Sequence, residues 1–415
     1  MKILILTQYY PPEVGAPQFR ISDMAERLNK LGNTVTVLTA MPNYPQMSVH
    51  EKYRGKVYSR ETINGIEVKR SWIYANRRRS FGSRIFSYFS FLITSIITGI
   101  FVLPKADILI CESPPLFLGI SAWILAKAKS AKLVFNVSDI WPESAVKLGL
   151  VSNKTLIGIS ERLERFMYRS SMLVSGQTMG ICKNINARFP EVPTYWWRNG
   201  IDLDSFRTDA NRVAARSEFG FSADDFVLLY AGILGHAQGL EVLLESARIL
   251  AATKVKFFLV GDGPEKQRIM ALKESMGLKN VIFCDVISRS RMSEVLACAD
   301  ASVIPLRKID LFKGAIPSKI FESLIMRKPL LLGVDGEARE LFIDKGRCGL
   351  YFEPENAVDL AEKITDLREN PIEYAQFAEN AYQYVVANFS REEIAKELLA
   401  KLEYQFKVVN KPQGE

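Results

Sequence analysis

The stretch 226–251, FVLLYAGILGHAQGLEVLLESARILA, decides the fold class because it reads as a strand, a glycine-rich loop and a helix in that order. Its first six residues are apolar throughout, as in a strand of a parallel sheet that is buried on both faces. Gly232, Gly235 and Gly239 follow, and helical periodicity then continues to residue 251. A strand that passes through a tight glycine loop into a helix is typical of Rossmann-like α/β domains.

The same alternation occurs on both sides of this stretch. Downstream, strand-like runs lie at 255–260, 281–284, 300–304 and 329–333, with helical segments such as 264–276 and 318–326 between them. Upstream, strand-like runs lie at 2–7, 34–40, 66–73, 107–112 and 132–138, with helical segments such as 18–31. Two sets of alternating strands and helices predict an α/β fold of two Rossmann-like domains that face each other across a cleft. The join is expected at Asn199–Gly200, a turn dipeptide after a strand at 194–198.

Length and composition agree with two soluble domains. The 415 residues are too many for one ordinary core. Charged residues make up 24% of the chain and hydrophobic residues 48%, which argues against a disordered, collagen-like or polytopic membrane protein. Five cysteines without a CxxC spacing indicate a reducing compartment and no structural zinc. The chain starts on a strand and lacks the pattern of a signal peptide, so we expect a cytoplasmic protein.

The positive charge is concentrated in the first half of the chain. Residues 1–200 hold 26 of the 54 Lys and Arg but only 13 of the 46 Asp and Glu, a net charge of +13. Such asymmetry indicates contact with a polyanion, either nucleic acid or an anionic membrane. No recognition-helix motif or aromatic–basic interleaving supports nucleic acid, so no nucleic-acid partner is expected.

Three loops after predicted strands are candidate phosphate sites. In YYPPEVGAP (9–17), prolines stiffen the loop and Gly15 permits close backbone approach; an ordinary strand-to-helix turn is the alternative. The loop from Gly232 to Gly239 is a second candidate, although it is not GxGxxG. Gly261 opens the turn GDGP, which is equally compatible with a helix cap.

The most informative segment is 313–324, KGAIPSKIFESL. Ser318 is expected to cap a helix whose first turn places Lys319 and Glu322 on one face. A lysine is unfavourable at a helix N-terminus unless an anion shares the site, so the pattern favours phosphate binding. An exposed Lys–Glu pair is the alternative.

Several motifs in this order resemble the family-4 retaining glycosyltransferases of the GT-B fold: PPEVGAPQFR, NGID, AGILGHAQGLE, VGDGPE, ADASVIPL and PSKIFESL. SPPLFLG (113–119) and SDIWPESAVKLG (138–149) are similar to the branch that builds O-antigen, capsule or colanic-acid polysaccharides, including L-fucosamine transferases. The resemblance implies transfer of a sugar from a nucleoside-diphosphate donor with retained anomeric configuration, with no metal and no cofactor.

The resemblance assigns roles on the donor side. Glu322 matches the second carboxylate of the family's E-x7-E motif and is expected to accept hydrogen bonds from the donor ribose. The first carboxylate falls on Gly314, where no side chain can take its role. The family's basic pair after the first strand of the second domain is also missing, so Lys319 is expected to replace it, with Arg289 as second choice. The implied donor-binding set is Gly15, Gly232, His236, Gly239, Gly261, Arg289, Ile316, Ser318, Lys319 and Glu322, with backbone N–H groups supplied by Gly15, Gly232 and Gly239.

On the acceptor side, the expected catalytic residues are Asp139 and Glu143, with Lys319 from the donor side. Because the donor phosphate can take the acceptor proton in front-face transfer, Asp139 is expected to orient the acceptor hydroxyl rather than act as nucleophile. Capping of a short helix at Pro142 is the alternative role for this carboxylate.

An apolar segment raises the question of membrane contact. Residues 85–103, IFSYFSFLITSIITGIFVL, carry no charge, and Arg77, Arg78, Arg79 and Arg84 precede them. Hydroxyl residues recur at helical spacing at Ser87, Ser90, Thr94, Ser95 and Thr98. We expect residues 77–103 to dock on an anionic inner membrane surface without crossing it; a buried helix and a spanning helix are the alternatives.

Together these expectations define domains 1–199 (acceptor side and membrane docking), 200–385 (nucleotide-sugar binding) and 386–415 (a helix that returns to the first domain). The expected reaction moves an N-acetylated hexosamine or 6-deoxyhexosamine from a UDP donor to a polyprenyl-diphosphate-linked sugar at the cytoplasmic face of the inner membrane. A GT-B sugar-nucleotide epimerase without an acceptor is the alternative, and the apolar segment 85–103 counts against it.

Overall fold

Two parallel sheets with helices packed on them organise the chain. The structure is a computed structural model that describes residues 1–13, 15–44, 46–76, 81–147 and 151–410. It divides into a first unit, Met1–Asn199 together with the C-terminal helix from Glu392, and a second unit, Gly200–Arg391. The division after Asn199 falls where the sequence places the join, whereas the returning C-terminal segment begins at Glu392 instead of residue 386.

The first unit contains an eight-stranded sheet. Its strands are β1 (Lys2–Leu6), β2 (Thr34–Ala40), β3 (Tyr58–Ile63), β4 (Ile66–Ser71), β5 (Ile108–Ser113), β6 (Lys132–Val137), β7 (Leu173–Gly176) and β8 (Thr194–Trp196). Their order is β3-β4-β2-β1-β5-β6-β7-β8, parallel throughout except that β3 is antiparallel to β4. The helices are α1 (Ala16–Lys30), α2 (Phe81–Val102), α3 (Leu118–Ala128), α4 (Glu143–Lys147), α5 (Lys154–Ser170) and α6 (Met179–Arg188).

The second unit contains a six-stranded sheet in the order β11-β10-β9-β12-β13-β14. Its strands are β9 (Phe226–Ala231), β10 (Val255–Val260), β11 (Val281–Cys284), β12 (Ala301–Pro305), β13 (Leu330–Gly333) and β14 (Gly349–Tyr351), all parallel. Its helices are α7 (Arg212–Phe219), α8 (Glu241–Ile249), α9 (Lys266–Ser275), α10 (Met292–Cys298), α11 (Lys319–Ile325), α12 (Glu337–Arg339), α13 (Ala357–Glu369) and α14 (Pro371–Phe389). Short 3₁₀ turns lie at Glu51–Tyr53, Leu203–Ser205, His236–Gln238, Arg289–Arg291 and Asp310–Gly314, and α12 continues as a π-helix at Glu340–Lys345.

The C-terminal helix α15 (Arg391–Asn410) packs on the first unit. Ile394, Leu398 and Leu402 recur at four-residue spacing, so they share one helix face, and all three are buried in the core that contains Ile3 and Ile5 of β1. Each such aliphatic side chain contributes on the order of 2 kcal/mol when it is fully buried. The tail therefore stabilises the unit that contains the N-terminus.

Within the segment 386–415, which was expected to be one helix, α14 ends at Phe389 and α15 begins at Arg391, so the helix breaks at Ser390. The Ile201 N–H donates to the Phe389 carbonyl at 2.8 Å, and the Arg391 N–H donates to the Ile201 carbonyl at 3.0 Å. Residue 390 thus pairs with Ile201 as an isolated bridge instead of continuing the helix. The break comes from these tertiary hydrogen bonds, which helical periodicity does not reveal.

Candidate functional site

The carboxyl edge of the second sheet brings two glycine loops into close contact. Gly232 follows β9 with a φ of +144°, and Gly261 follows β10 with a φ of +142°, both conformations that favour glycine. A Cβ on Gly261 would lie 2.0 Å from the Gly232 carbonyl oxygen, which leaves no room for any side chain. The loops are also joined by hydrogen bonds, since the Leu234 N–H donates to the Asp262 carbonyl at 2.9 Å.

Lys319 lies directly against this glycine edge. A Cβ on Gly232 would be 2.9 Å from the Lys319 Nζ, so the absent side chain leaves the space that the ammonium occupies. The same Nζ lies 3.7 Å from the centroid of the Tyr230 ring. The Lys319 side chain is half-buried, and burial lowers the pKa of Lys319 to about 7, although Glu322 acts in the opposite direction. The exposed Lys–Glu pair considered as the alternative therefore does not describe this lysine.

Glu322 is surrounded by positive charge. The side chain is half-buried, and burial raises the pKa of Glu322, while Arg289, Lys319 and Arg391 each lower it. Three basic side chains around one carboxylate suit this part of the edge to an anion whose hydroxyl groups donate hydrogen bonds to Glu322. Sequence reasoning identified Lys319, Arg289 and Glu322 but missed Arg391, because a residue at the start of α15 gives no local signal of nearness to α11.

A small cavity of about 10 Å³ lies beneath these charges. Lys319 and Glu322 line it together with Ser302 of β12. The Ser302 hydroxyl is buried and has no hydrogen-bond partner among the described residues. A volume of this size fits about one water molecule, which could satisfy that hydroxyl.

Two of the expected backbone donors are already engaged, which corrects the sequence prediction. The Gly232 N–H donates to the Val260 carbonyl at 2.9 Å, and the Gly239 N–H donates to the His236 carbonyl at 3.4 Å. Gly261 likewise donates its N–H to the Cys284 carbonyl at 3.0 Å. These glycines shape the edge by lacking side chains, and the N–H groups of Gly232 and Gly239 are not free to bind phosphate.

The remaining donor-side residues are near α11 or β9. Ser318 precedes α11 but has helical backbone angles and makes no side-chain cap, so the predicted capping bond is wrong. Ile316 is half-buried in the segment before it. His236 is exposed, and its carbonyl accepts a hydrogen bond from the Arg307 Nε at 2.7 Å. Gly314 is exposed, and a Cβ there would meet no atom of the described neighbours within 4 Å.

In the first unit, the loop after β1 is fixed by a buried carboxylate. Glu13 accepts hydrogen bonds from the backbone N–H groups of Asn43 and Tyr44, each at 2.8 Å, and from that of Tyr10 at 3.2 Å. Burial raises the pKa of Glu13, whereas these three hydrogen bonds lower it. Gly15 has extended backbone, and a Cβ there would lie 2.4 Å from the Gln18 Oε1. The loop is therefore tightly packed where it leads into α1.

Asp139 lies at the carboxyl end of β6 with an exposed side chain. Partial desolvation raises the pKa of Asp139, while hydrogen bonds from Ser144 and from the Ile140 N–H lower it. The bond from Ser144 ties the carboxylate to the first turn of α4, as a capping role would, and the exposure leaves it accessible to a ligand. Glu143 is paired with Lys147, whose Nζ is 2.6 Å away, and this hydrogen bond lowers the pKa of Glu143.

A buried polar row next to Asp139 was not found from the sequence. Glu112, Asn136 and Ser175 are register partners on the adjacent strands β5, β6 and β7. Glu112 accepts hydrogen bonds from the Arg20 Nη2 at 2.9 Å and from the Ser138 hydroxyl at 2.5 Å, and Asn136 also donates to it. The row holds Ser138, and hence the start of the Asp139 loop, against the sheet. The signals available in the sequence are isolated polar residues in mostly apolar stretches: Arg20 in PQFR, Glu112 in CESPP and Asn136 in VFNVS.

The predicted hydroxyl stripe of α2 does face the protein. The Ser71 and Thr98 hydroxyls are 3.0 Å apart, and those of Ser95 and Ser121 are 2.8 Å apart. Ser90 accepts a hydrogen bond from the Tyr74 N–H at 2.9 Å. The large apolar side chains exposed on this helix are Phe86, Phe89, Ile93, Ile97, Ile100 and Phe101, while Ile96 is half-buried.

By length and composition, Ile85–Val102 could cross a membrane: its mean hydropathy is 2.0, and 33% of it is buried. Arg77, Arg78 and Arg79 lie outside the described residues, as does the side chain of Arg84. Elsewhere in the described chain, no group of three or more His, Cys, Asp or Glu side chains is placed to hold a metal ion.

Comparison with known proteins gives matches to both halves of the chain. Residues 15–189 match the family model "Glycosyl transferase 4-like domain", and residues 211–384 match "Glycosyl transferases group 1". The chain is 28% identical over 330 residues to a putative colanic acid biosynthesis glycosyl transferase, WcaI, of Escherichia coli, covering 77% of this chain and 80% of that one. It is 24% identical to the putative teichuronic acid biosynthesis glycosyltransferase TuaC of Bacillus subtilis, covering 99% of each.

Solved structures share the fold. The structure of Anabaena Alr3699/HepE in complex with UDP and glucose aligns with a TM-score of 0.69 and 18% sequence identity, covering 97% of this chain and 99% of that one.

Proposed function

The chain belongs to the family-4 glycosyltransferases of the GT-B fold, and we propose that it transfers a sugar from a UDP donor to a lipid-linked sugar during the assembly of a surface polysaccharide. The observation that carries the proposal is the placement of Lys319, Glu322 and two arginines at the carboxyl edge of the second sheet. Ligands bind at this edge in open α/β sheets. The names of the relatives from Escherichia coli and Bacillus subtilis support polysaccharide assembly, and the UDP complex of the Anabaena protein supports the donor.

Under this proposal, Glu322 and Lys319 bind different parts of the donor. Glu322 accepts hydrogen bonds from the ribose hydroxyls, and the Lys319 ammonium lies against the diphosphate. As the glycosidic bond to the donor breaks, negative charge develops on the leaving diphosphate, and a cation already in place stabilises that charge. Arg289 and Arg391 add to the positive potential around the carboxylate and the nucleotide.

On the acceptor side, Asp139 orients the hydroxyl that attacks the sugar. The donor phosphate accepts the proton, so anomeric configuration is retained without a protein nucleophile and without a metal. Glu143 remains ionised beside Lys147 and supports the same loop. The transferred sugar under this proposal is an N-acetylated hexosamine or a 6-deoxyhexosamine.

A panel of nucleotide sugars tests the donor assignment. The purified protein is incubated with UDP-, GDP- and dTDP-sugars, and release of nucleoside diphosphate is measured with and without EDTA. We expect release from a UDP-sugar that EDTA does not slow, and retained anomeric configuration in the product by NMR. Release from only a GDP- or dTDP-sugar would contradict the donor assignment, and loss of activity in EDTA would contradict metal-independent transfer.

We further propose that α2 docks the protein on the cytoplasmic face of the inner membrane. An exposed stripe of six large apolar side chains is costly in water, and the +13 charge of residues 1–200 favours an anionic leaflet. The opposite face of α2 is occupied by hydroxyl contacts to the protein, which supports a helix lying in the surface over one that spans it.

Replacing Phe86, Phe89, Ile93 and Ile97 with Ser should release the protein from vesicles that contain phosphatidylglycerol. Replacing the four arginines at 77–79 and 84 with Ser should weaken that binding and reduce its salt sensitivity. Wild-type protein that stays in solution beside these vesicles would contradict docking, and a tag accessible only from the far side would indicate a spanning helix.

A further inference from the structure

A chain of aromatic contacts connects the exposed face of α2 to the loop of Asp139. The ring centroids of Phe89 and Phe117 are 5.0 Å apart, and those of Phe117 and Trp141 are 5.4 Å apart. Phe89 is 39% exposed on α2, whereas Phe117 and Trp141 are half-buried. Trp141 is two residues beyond Asp139 in the chain. We call Phe89, Phe117 and Trp141 the aromatic path.

All three rings lie at the carboxyl edge of the first sheet. α2 follows β4 and leads back to the start of β5, so Phe89, in its first half, is near this edge. Phe117 directly precedes α3 in the connection after β5, and Trp141 is in the connection after β6. Because β5 and β6 are neighbours, the two connections are adjacent. The path therefore begins at the exposed stripe of α2 and ends beside the carboxylate proposed to orient the acceptor.

We propose that the aromatic path binds the isoprenoid chain of a polyprenyl-diphosphate-linked acceptor and delivers its sugar to Asp139. This deepens the proposed function and rests on it. Flat rings in series offer continuous apolar contact to a methyl-branched isoprenoid chain, and they impose little stereochemical demand. The occupant is a lipid because α2 has a mean hydropathy of 2.0 over 18 residues and the first 200 residues carry a charge of +13, a combination that complements an anionic bilayer.

A purely structural role is the competing explanation, since contacts between rings also stabilise loops. The two explanations differ in how they depend on chain length. If the rings bind lipid, their loss weakens binding of a long isoprenoid phosphate far more than binding of a short one. If the rings only pack the loops, their loss affects both ligands alike or affects neither.

The experiment measures binding of two probes, the 55-carbon undecaprenyl phosphate and the 5-carbon dimethylallyl phosphate, to the full chain in non-ionic detergent. The short chain reaches only the ring nearest Asp139, because the successive ring centroids are 5.4 and 5.0 Å apart. We expect Phe89→Ser and Phe117→Ser each to weaken binding of the long probe about tenfold and binding of the short probe less than twofold. Phe117→Tyr should keep most of the long-chain affinity, since it keeps a ring at that position.

Trp123→Ser is the matched control. Trp123 contacts Phe166 with a centroid distance of 5.4 Å, and it lines a cavity of about 900 Å³ with Lys132, at the opposite edge of the same sheet. We expect this variant to bind both probes as the wild type does. Equal weakening of both probes by Phe89→Ser and Phe117→Ser, or a tenfold loss of long-probe affinity in Trp123→Ser, would overturn the inference.

A transfer assay separates this inference from the proposed function. UDP-sugar turnover onto an undecaprenyl-linked acceptor should continue in Trp123→Ser, because Trp123 lies outside the path. If the wild type turns over no nucleotide sugar but still prefers the long probe in a Phe117-dependent way, the proposed function fails while the lipid path stands. If turnover occurs but the wild type shows no preference for the long probe, the lipid path alone fails.

Discussion

Lys319 should make nucleotide binding depend on pH. Burial against the Tyr230 ring lowers the pKa of Lys319 to about 7, so roughly half of the free protein carries a neutral amine at pH 7. A diphosphate next to the Nζ favours the ammonium and raises its pKa in the complex. At pH 9 only about one free molecule in a hundred retains the ammonium, so UDP affinity should fall about fiftyfold between pH 7 and pH 9, roughly 2 kcal/mol.

Titration calorimetry with UDP in two buffers of different ionisation enthalpy measures the linked proton directly. We expect uptake of about half a proton per UDP at pH 7 and close to one at pH 9, because the amine must be protonated for the diphosphate to bind well. The terminal phosphate of UDP is already about nine-tenths ionised at pH 7, since its second pKa is about 6, and the small further ionisation above pH 7 only adds negative charge. Its charge therefore cannot account for the expected loss.

Three variants show whether the proton belongs to Lys319. Lys319→Arg should flatten the pH dependence, because a guanidinium stays charged throughout the range. Lys319→Met should bind UDP weakly at every pH. Lys254→Met is the control, since Lys254 precedes β10 at the opposite edge of the sheet and pairs with Asp224 at 2.8 Å. Wild-type affinity that stays constant from pH 7 to 9 with no proton uptake would refute the placement of the diphosphate at Lys319.

The same lysine sets a further test in the absence of nucleotide, and three more tests follow from other sites. Below about pH 7, Lys319 is protonated in both the folded and the unfolded state, and its partly desolvated charge then destabilises the folded state most. Between about pH 7 and 10.5 the folded state has lost this proton while the unfolded state keeps it, so the stability of the unliganded protein should rise with pH. Lys319→Met should abolish that rise in urea titrations. Asp139→Asn should leave UDP affinity unchanged and reduce the transfer rate; normal transfer would remove Asp139 from the acceptor site. Gly314→Glu should change the free energy of unfolding by less than about 0.5 kcal/mol, because the position is exposed with open space around it. Leu398→Ala should cost about 2 to 5 kcal/mol in urea unfolding, whereas Ile372→Ala, 82% exposed, should cost almost nothing.

The strands were predictable where burial makes them rich in aliphatic and β-branched residues. The runs that became β1, β2, β5, β6, β9 and β10 are buried over nearly their whole length, so composition alone identifies them. The strand β3 was missed because YSRETI alternates between exposed and half-buried residues. It is the antiparallel edge strand of its sheet, and an edge strand with polar side chains gives only a weak signal.

At the proposed donor site, the spacing of residues along one helix could be predicted from the sequence. The backbone hydrogen bonds of the glycine loops could not. Lys319 and Glu322 are three residues apart, so helical geometry alone places them on one face. Two of the expected N–H donors are engaged for physical reasons: Gly232 directly follows β9, so its N–H extends the ladder of the sheet to Val260, and the Gly239 N–H closes the turn that begins at His236. The role of Arg391 could not be predicted from the sequence, because only the folded second unit brings this residue near Glu322.

The structure also accounts for the absence of a basic pair after β9. The loop from Ile233 to Gln238 contains no Lys or Arg, yet a cation is present at this edge because Lys319 extends from α11 to the face of Tyr230. It can do so only because residue 232 has no side chain, since a Cβ there would lie 2.9 Å from the Lys319 Nζ and 3.2 Å from its Cε. Gly232 and Lys319 therefore act together: the glycine that cannot donate its N–H to phosphate makes the space for the cation that can bind it. A lysine packed into such a space loses hydration that a cation on an open loop would keep, which is why its pKa falls. Under the proposed function, this departure from the family pattern exchanges permanently charged loop residues for one half-buried amine whose charge depends on the bound diphosphate.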